Sequence, residues 1–131
     1  DPQATATFVD SRVPWAEAER GAGRLLRGLY RELLRLRAQD PVLVEARRGR
    51  PPLTVTAAGE RAIAVHIETN AGSRLLVVNF GDEVSVPAEG RVESVLCTDE
   101  GRFGGFGRAP RAEGGAIVMP PHAAAFFESV R

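Results

Sequence analysis

Three features of this 131-residue chain predict a mainly β fold, an antiparallel β-sandwich preceded by one long N-terminal α-helix. Apolar residues recur at helical spacing in a single stretch near the N-terminus. After Pro41 the apolar period changes to two, in short runs. Turn residues separate those runs at short intervals, as between successive strands of an antiparallel sandwich.

Residues 1–15, DPQATATFVDSRVPW, read as extended and polar, anchored by Phe8 and Trp15. One helix follows over residues 16–38, with Leu26, Leu29, Tyr30, Leu33 and Leu36 at helical spacing. Gly21 and Gly23 weaken its first turns. Gln39-Asp40-Pro41 ends it, because the residue before a proline avoids helical backbone. Seven apolar side chains (Leu25, Leu26, Leu29, Tyr30, Leu33, Leu34 and Leu36) cover roughly 180° of this helix, against about 100° for a helix resting on one core. The width predicts a helix covered from two sides, Leu25, Leu29, Leu33 and Leu36 on one, Leu26, Tyr30 and Leu34 on the other. For the chain alone it predicts a homodimer through the helix or an exchanged N-terminal segment. Arg24, Arg27, Arg31 and Arg35 occupy the opposite face. They would form either an anion-binding stripe or, the reading preferred, a solvated face on which Glu32 pairs with Arg35.

Strands are predicted at LTVT (53–56), RAIAVHIET (61–69), RLLVVNF (74–80), EVSV (83–86), VESVLC (92–97), AIVM (116–119) and AAAFFESV (123–130). Ile63, Val65 and Ile67 fall on one face, Ala62, Ala64, His66 and Glu68 on the other. RLLVVNF is apolar on both faces, as a central strand would be. Turn chemistry at Ala58-Gly59, Asn70-Ala71-Gly72, Gly81-Asp82, Glu89-Gly90 and Pro120-Pro121 separates these runs.

Seventeen acids balance seventeen bases, all arginine, which argues against nucleic-acid or membrane-surface binding driven by net charge. The single cysteine, Cys97, excludes an internal disulfide and reads as a small buried hydrophobe. No run approaches the ~20 apolar residues of a membrane-spanning helix. A cytoplasmic location is expected, and the start at Asp1 reads as the interior of a longer protein.

The run VLCTDEGRFGGFGRAP (95–110) resembles a phosphate loop, with Gly101, Gly104, Gly105 and Gly107. Such a loop needs a helix after it, whose N-terminus faces the phosphate. Here another strand follows, so a long hairpin loop is predicted, with Phe103 or Phe106 tucked into the domain. The alternative is a sugar-stacking platform built from Phe103 and Phe106. His66 and His122 lack partners at metal-ligand spacing, so neither metal nor cofactor is expected. Ser11, Ser73, Ser85, Ser94 and Ser129 lack a nucleophile-elbow setting. The acids Asp82, Glu83, Glu89, Glu93, Asp99 and Glu100 lie in turns or at strand ends, where acids mark solvent, and none is assigned a catalytic role.

Five stretches nevertheless occur in a characteristic order. They are DPQ…TF…S..PWAE (1–17), LYRELLRLRAQDPVL (29–43), RLLVVNFG (74–81), TDEGRFGG (98–105) and MPPHAAAFFE (119–128). Over nearly its whole length the chain resembles the C-terminal end of malto-oligosyltrehalose trehalohydrolases, of glycoside hydrolase family 13 in the α-amylase superfamily. The first stretch is the most specific. TDEGRFGG is also similar to glycogen branching enzymes, and Arg12-Val13 departs from the Lys-Leu of the trehalohydrolase pattern. The resemblance implies an α-amylase-type C-terminal domain whose parent carries its chemistry on a separate (β/α)8 barrel. There a nucleophilic Asp and an acid/base Glu would act with retention of configuration. Residues 1–41 would then be an extended segment plus the last barrel helix, and residues 42–131 the C-terminal sandwich. The parent would cleave the α-1,4 bond next to the terminal trehalose of maltooligosyl trehalose. Its barrel would be this chain's partner, and an α-glucan would be met through the parent. None of the barrel motifs is in this chain. The rival readings are the equivalent domain of a branching enzyme, a carbohydrate-binding module using Trp15, Phe103 and Phe106, and a free-standing interaction domain.

Overall fold

The computed structural model describes residues 4–12, 14–49 and 53–130. The DPQ of the first stretch and Val13 lie outside the described residues.

The N-terminal part is more helical than its sequence predicts. Thr5–Asp10 forms a short helix, α1, where extended chain is expected. Ser11 closes it, its N–H donating to the Thr7 carbonyl at 3.1 Å and its hydroxyl to the Phe8 carbonyl at 3.0 Å. After Pro14 the chain makes a 3-10 turn at Trp15–Glu19, and the long helix α2 runs Gly21–Gln39. Gly23 does more than weaken its first turn, since a Cβ there would lie 2.1 Å from the Glu17 carbonyl oxygen. The turn and the helix therefore pack backbone to backbone.

Asp40-Pro41 ends α2, as expected, but it also starts a second helix, α3, over Pro41–Arg48. Asp40 is its N-cap, accepting the Leu43 N–H at 3.0 Å, and Pro41 fills the first helical position. The expectation of one helix and then strands is corrected here, because Asp-Pro is both a stop signal and a start signal.

Among the described residues eight strands follow: β1 Leu53–Ala57, β2 Ala62–Thr69, β3 Gly72–Asn79, β4 Val84–Pro87, β5 Arg91–Cys97, β6 Arg111–Glu113, β7 Ala116–Met119 and β8 Ala124–Val130. They form two antiparallel sheets, one ordered β1-β2-β3-β8-β5 and one ordered β4-β7-β6. Seven strands match the predicted runs. The eighth, β6, has three exposed residues and no apolar pattern to announce it.

Alternation along β3 and β8 divides the interior into two layers. Leu75, Val77, Ala125 and Phe127 meet Val86, Ile117 and Met119 of the smaller sheet in one core. Leu76 and Phe126 point the other way, with Leu96 of β5, onto Leu29, Leu36 and Leu43 of the helices. The order is thus helices, five-stranded sheet, three-stranded sheet, and β3 is apolar on both faces as a central strand should be. Ile63, Val65 and Ile67 do share a face, but it is the helix side, because Val65 pairs with Leu76. The small Ala62 and Ala64 enter the inter-sheet core instead.

Side chains fasten the layers. Arg74 of β3 donates to the buried Asp40 carboxylate at 2.8 Å, and Glu45 of α3 accepts the N–H groups of Asn70 and Ala71 at the β2–β3 turn. Asn79 ends β3 by donating to the Asp82 and Pro120 carbonyls and accepting the Gly81 N–H.

Candidate functional site

The glycine-rich stretch joins strands of different sheets, β5 and β6, so it is a crossover between layers and not the predicted hairpin. It opens with a 3-10 turn, Gly101–Phe103, which Gly104 stops with φ of 91°. Among the described residues no helix follows it, so the loop does not lead into a helix N-terminus as a phosphate loop does.

Asp99 organises this loop. Its buried carboxylate accepts the N–H of Phe106 at 3.2 Å and of Arg108 at 3.3 Å, and pairs with the Arg108 guanidinium at 2.6 Å. Its carbonyl accepts the Gly107 N–H at 2.7 Å. The Arg108 hydrogen bond, then the Phe106 N–H, hold the Asp99 carboxyl below its ordinary range. Asp99 raises the Arg108 guanidinium in return. Gly105 lies so close that a Cβ would be 2.2 Å from the Asp99 carbonyl oxygen. Beside it, Glu100 accepts the Cys97 N–H at 2.8 Å and pairs with Arg102. The reading of Asp99 as a solvent marker is thereby corrected. The signal available was its place directly ahead of a glycine run that leaves room for the loop to fold back on it.

The three proposed sugar-contact residues do not behave alike. Phe103 packs against the Leu36, Leu96 and Phe126 cluster, and the Arg102 guanidinium lies 4.4 Å from its ring centroid. Phe106 is 86 % exposed, with Arg108 4.9 Å from its ring centroid. Trp15 is 79 % exposed and belongs to the turn before α2. Arginine thus occupies a ring face of both phenylalanines. Cys97 is buried, and that burial pushes its thiol up. Among the described residues no group of three His, Cys, Asp or Glu side chains could hold a metal ion. Nor is any described helix long and apolar enough to cross a membrane.

The largest unaccounted feature is apolar. Leu29 and Leu36 of α2 pack onto the sheet, while Leu26, Tyr30 and Leu34 stand 52 %, 61 % and 60 % exposed, joined by Leu33. The wide stripe therefore has one covered side and one open side. On the opposite face Arg35 grips Glu32 through both carboxylate oxygens, and Arg27 pairs with Glu19. Arg35 in turn holds Glu32 below its ordinary range.

No family model matches the chain. Over 89 residues it is 44 % identical to the malto-oligosyltrehalose trehalohydrolase of Deinococcus radiodurans, a match covering 68 % of this chain and 14 % of that protein. The chain is homologous to malto-oligosyltrehalose trehalohydrolases. A second trehalohydrolase, from Rhizobium sp. (strain M-11), is 33 % identical over 133 residues, covering 95 % of this chain and 19 % of the relative. The chain thus spans less than a fifth of either trehalohydrolase. The solved α-amylase from H. orenii shares the fold, with a TM-score of 0.64 over 98 % of this chain and 25 % of that one, at 13 % identity.

Proposed function

We propose that this chain is the C-terminal, non-catalytic part of a malto-oligosyltrehalose trehalohydrolase. In this reading residues 1–41 supply the last helix of a (β/α)8 barrel and residues 42–131 a β-sandwich packed beside it. The parent hydrolyses the α-1,4 bond next to the terminal trehalose of maltooligosyl trehalose, in the cytoplasm, and so makes trehalose. The observation that carries the reading is the identity to two trehalohydrolases over most of this chain and a small share of theirs. The half-covered stripe on α2 supports it, since a barrel would cover Leu26, Tyr30 and Leu34. A sugar-binding role for Phe103 and Phe106 is the weaker reading, because arginine already stacks on each ring.

The test is release of trehalose from maltooligosyl trehalose by the pure chain and by the chain joined to its barrel. The joined protein should turn over and the chain alone should not. Turnover by the chain alone, abolished by changing one of its acids, would overturn the structural role.

A further inference from the structure

Beneath α2, between the helix and the five-stranded sheet, lies an open cavity of about 310 Å³. Its walls include Leu33, Leu36, Leu43, Ile67, Leu76 and Phe126. The one polar side chain among these lining residues, Thr98, accepts the Ala124 N–H at 2.9 Å, and the other lining side chains are all apolar. Protein interiors rarely leave voids much larger than a water molecule. An apolar cavity about half this size stays dry and admits a benzene ring. The space here accommodates a large aromatic side chain or two aliphatic ones.

We infer that this cavity is a socket for an apolar side chain from the barrel of the same polypeptide; the inference rests on the trehalohydrolase reading above. Leu33 is the link. It lines the cavity and is itself exposed, and it lies one turn from Tyr30 and two from Leu26 on the open side of α2. A body that covers the open row therefore reaches the cavity mouth. The relatives carry more than four-fifths of their length outside the matched segment, which supplies such a body. The domain is then held by a plug as well as by a face, and the plug fixes the register of α2 on the barrel.

Photo-leucine, a diazirine isostere, incorporated into the barrel-joined polypeptide tests this after irradiation and peptide mapping. Crosslinks from Leu36, Leu43 or Leu76 to a residue outside this chain, but within the same polypeptide, are expected. In Ala124→Leu, which fills the cavity from β8, those crosslinks should fall at least several-fold while crosslinks from Leu26 and Leu34 persist. Crosslinks from Leu26 and Leu34 alone would overturn the socket and leave the trehalohydrolase reading standing. The absence of crosslinks from either set would overturn both. Socket crosslinks joining two copies of the polypeptide, or undiminished in Ala124→Leu, would also overturn the plug.

Discussion

Replacing Asp99 by alanine should release the glycine-rich crossover without touching the β core. The substitution leaves the N–H groups of Phe106 and Arg108 without their acceptor and Arg108 without its partner. An orphaned buried donor costs about 1–3 kcal/mol. Phe106 and Arg108 carry exposed side chains, so water reaches the loop and the lower end applies, about 1 kcal/mol for each N–H. The Arg108 pair adds little, because its guanidinium is half exposed. The sum of about 2 kcal/mol lowers Tm by roughly 7 °C in a chain of this size. Thermal unfolding followed by circular dichroism at neutral pH measures it, with Glu93→Ala on the exposed edge of β5 as the unchanged control. The pH dependence has a fixed sign. Asp99 titrates below its ordinary range when folded, so its contribution is fully present above pH ~4 and disappears as pH falls through the folded value. The gap between wild type and Asp99→Ala should therefore narrow in acid. A Tm equal to wild type at pH 7, or a gap that widens below pH 4, would refute the anchoring role.

Other outcomes follow from the same geometry. Gly105→Ala should destabilise more than Gly101→Ala in the same unfolding assay, because a Cβ at Gly105 meets the Asp99 backbone whereas one at Gly101 meets nothing within 4 Å. Arg74→Met should cost about 3 kcal/mol in urea unfolding by stranding the buried Asp40, and Asp40→Asn combined with Arg74→Met should recover part of that loss. The chain alone should run as a dimer by light scattering at micromolar concentration. Leu26→Glu with Leu34→Glu should return it to a monomer with Tm little changed, since neither side chain enters a core cluster.

Legibility in the sequence followed the strength of the local pattern. RLLVVNF and AAAFFESV show their strands because both faces of each must be apolar between two layers. AIVM matches β7 residue for residue for a similar reason, as Ile117 and Met119 face the inter-sheet core. β6 is invisible because an exposed three-residue edge needs no apolar side chain. α3 is hidden by its own first residues, since Pro41 signals the end of one helix while Asp40 ahead of it caps the start of the next. The fold-back of the crossover onto Asp99 was out of reach of periodicity. It depends on backbone contacts between residues 99 and 105–108 that leave no apolar signature, only glycines. The width of the α2 stripe is readable from spacing, but which of its two rows the sheet covers is not: Leu26, Tyr30 and Leu34 are the row left exposed. Leu33 shares a row with Leu29 and Leu36 by helical spacing yet stands exposed, at the mouth of the cavity it lines.

The proposed division near residue 41 does not coincide with a break in packing. Leu29 and Leu36 lie before it, yet they share a cluster with Leu76, Leu96 and Phe126 from the sheet. Asp40, at the junction, is bound on one side to the N-terminus of α3 and on the other to Arg74 in the middle of the central sheet. The helix that the trehalohydrolase reading assigns to a barrel is therefore half owned by the sheet. Its covered side cannot leave without uncovering Leu96 and Phe126, each a loss of about 1.5–3 kcal/mol of burial. Its open side makes no comparable contact within the chain. A helix with one face committed to each neighbour cannot slide on either without losing contact with that neighbour. Under the proposed trehalohydrolase reading, α2 is then the element that would hold barrel and sheets in fixed register.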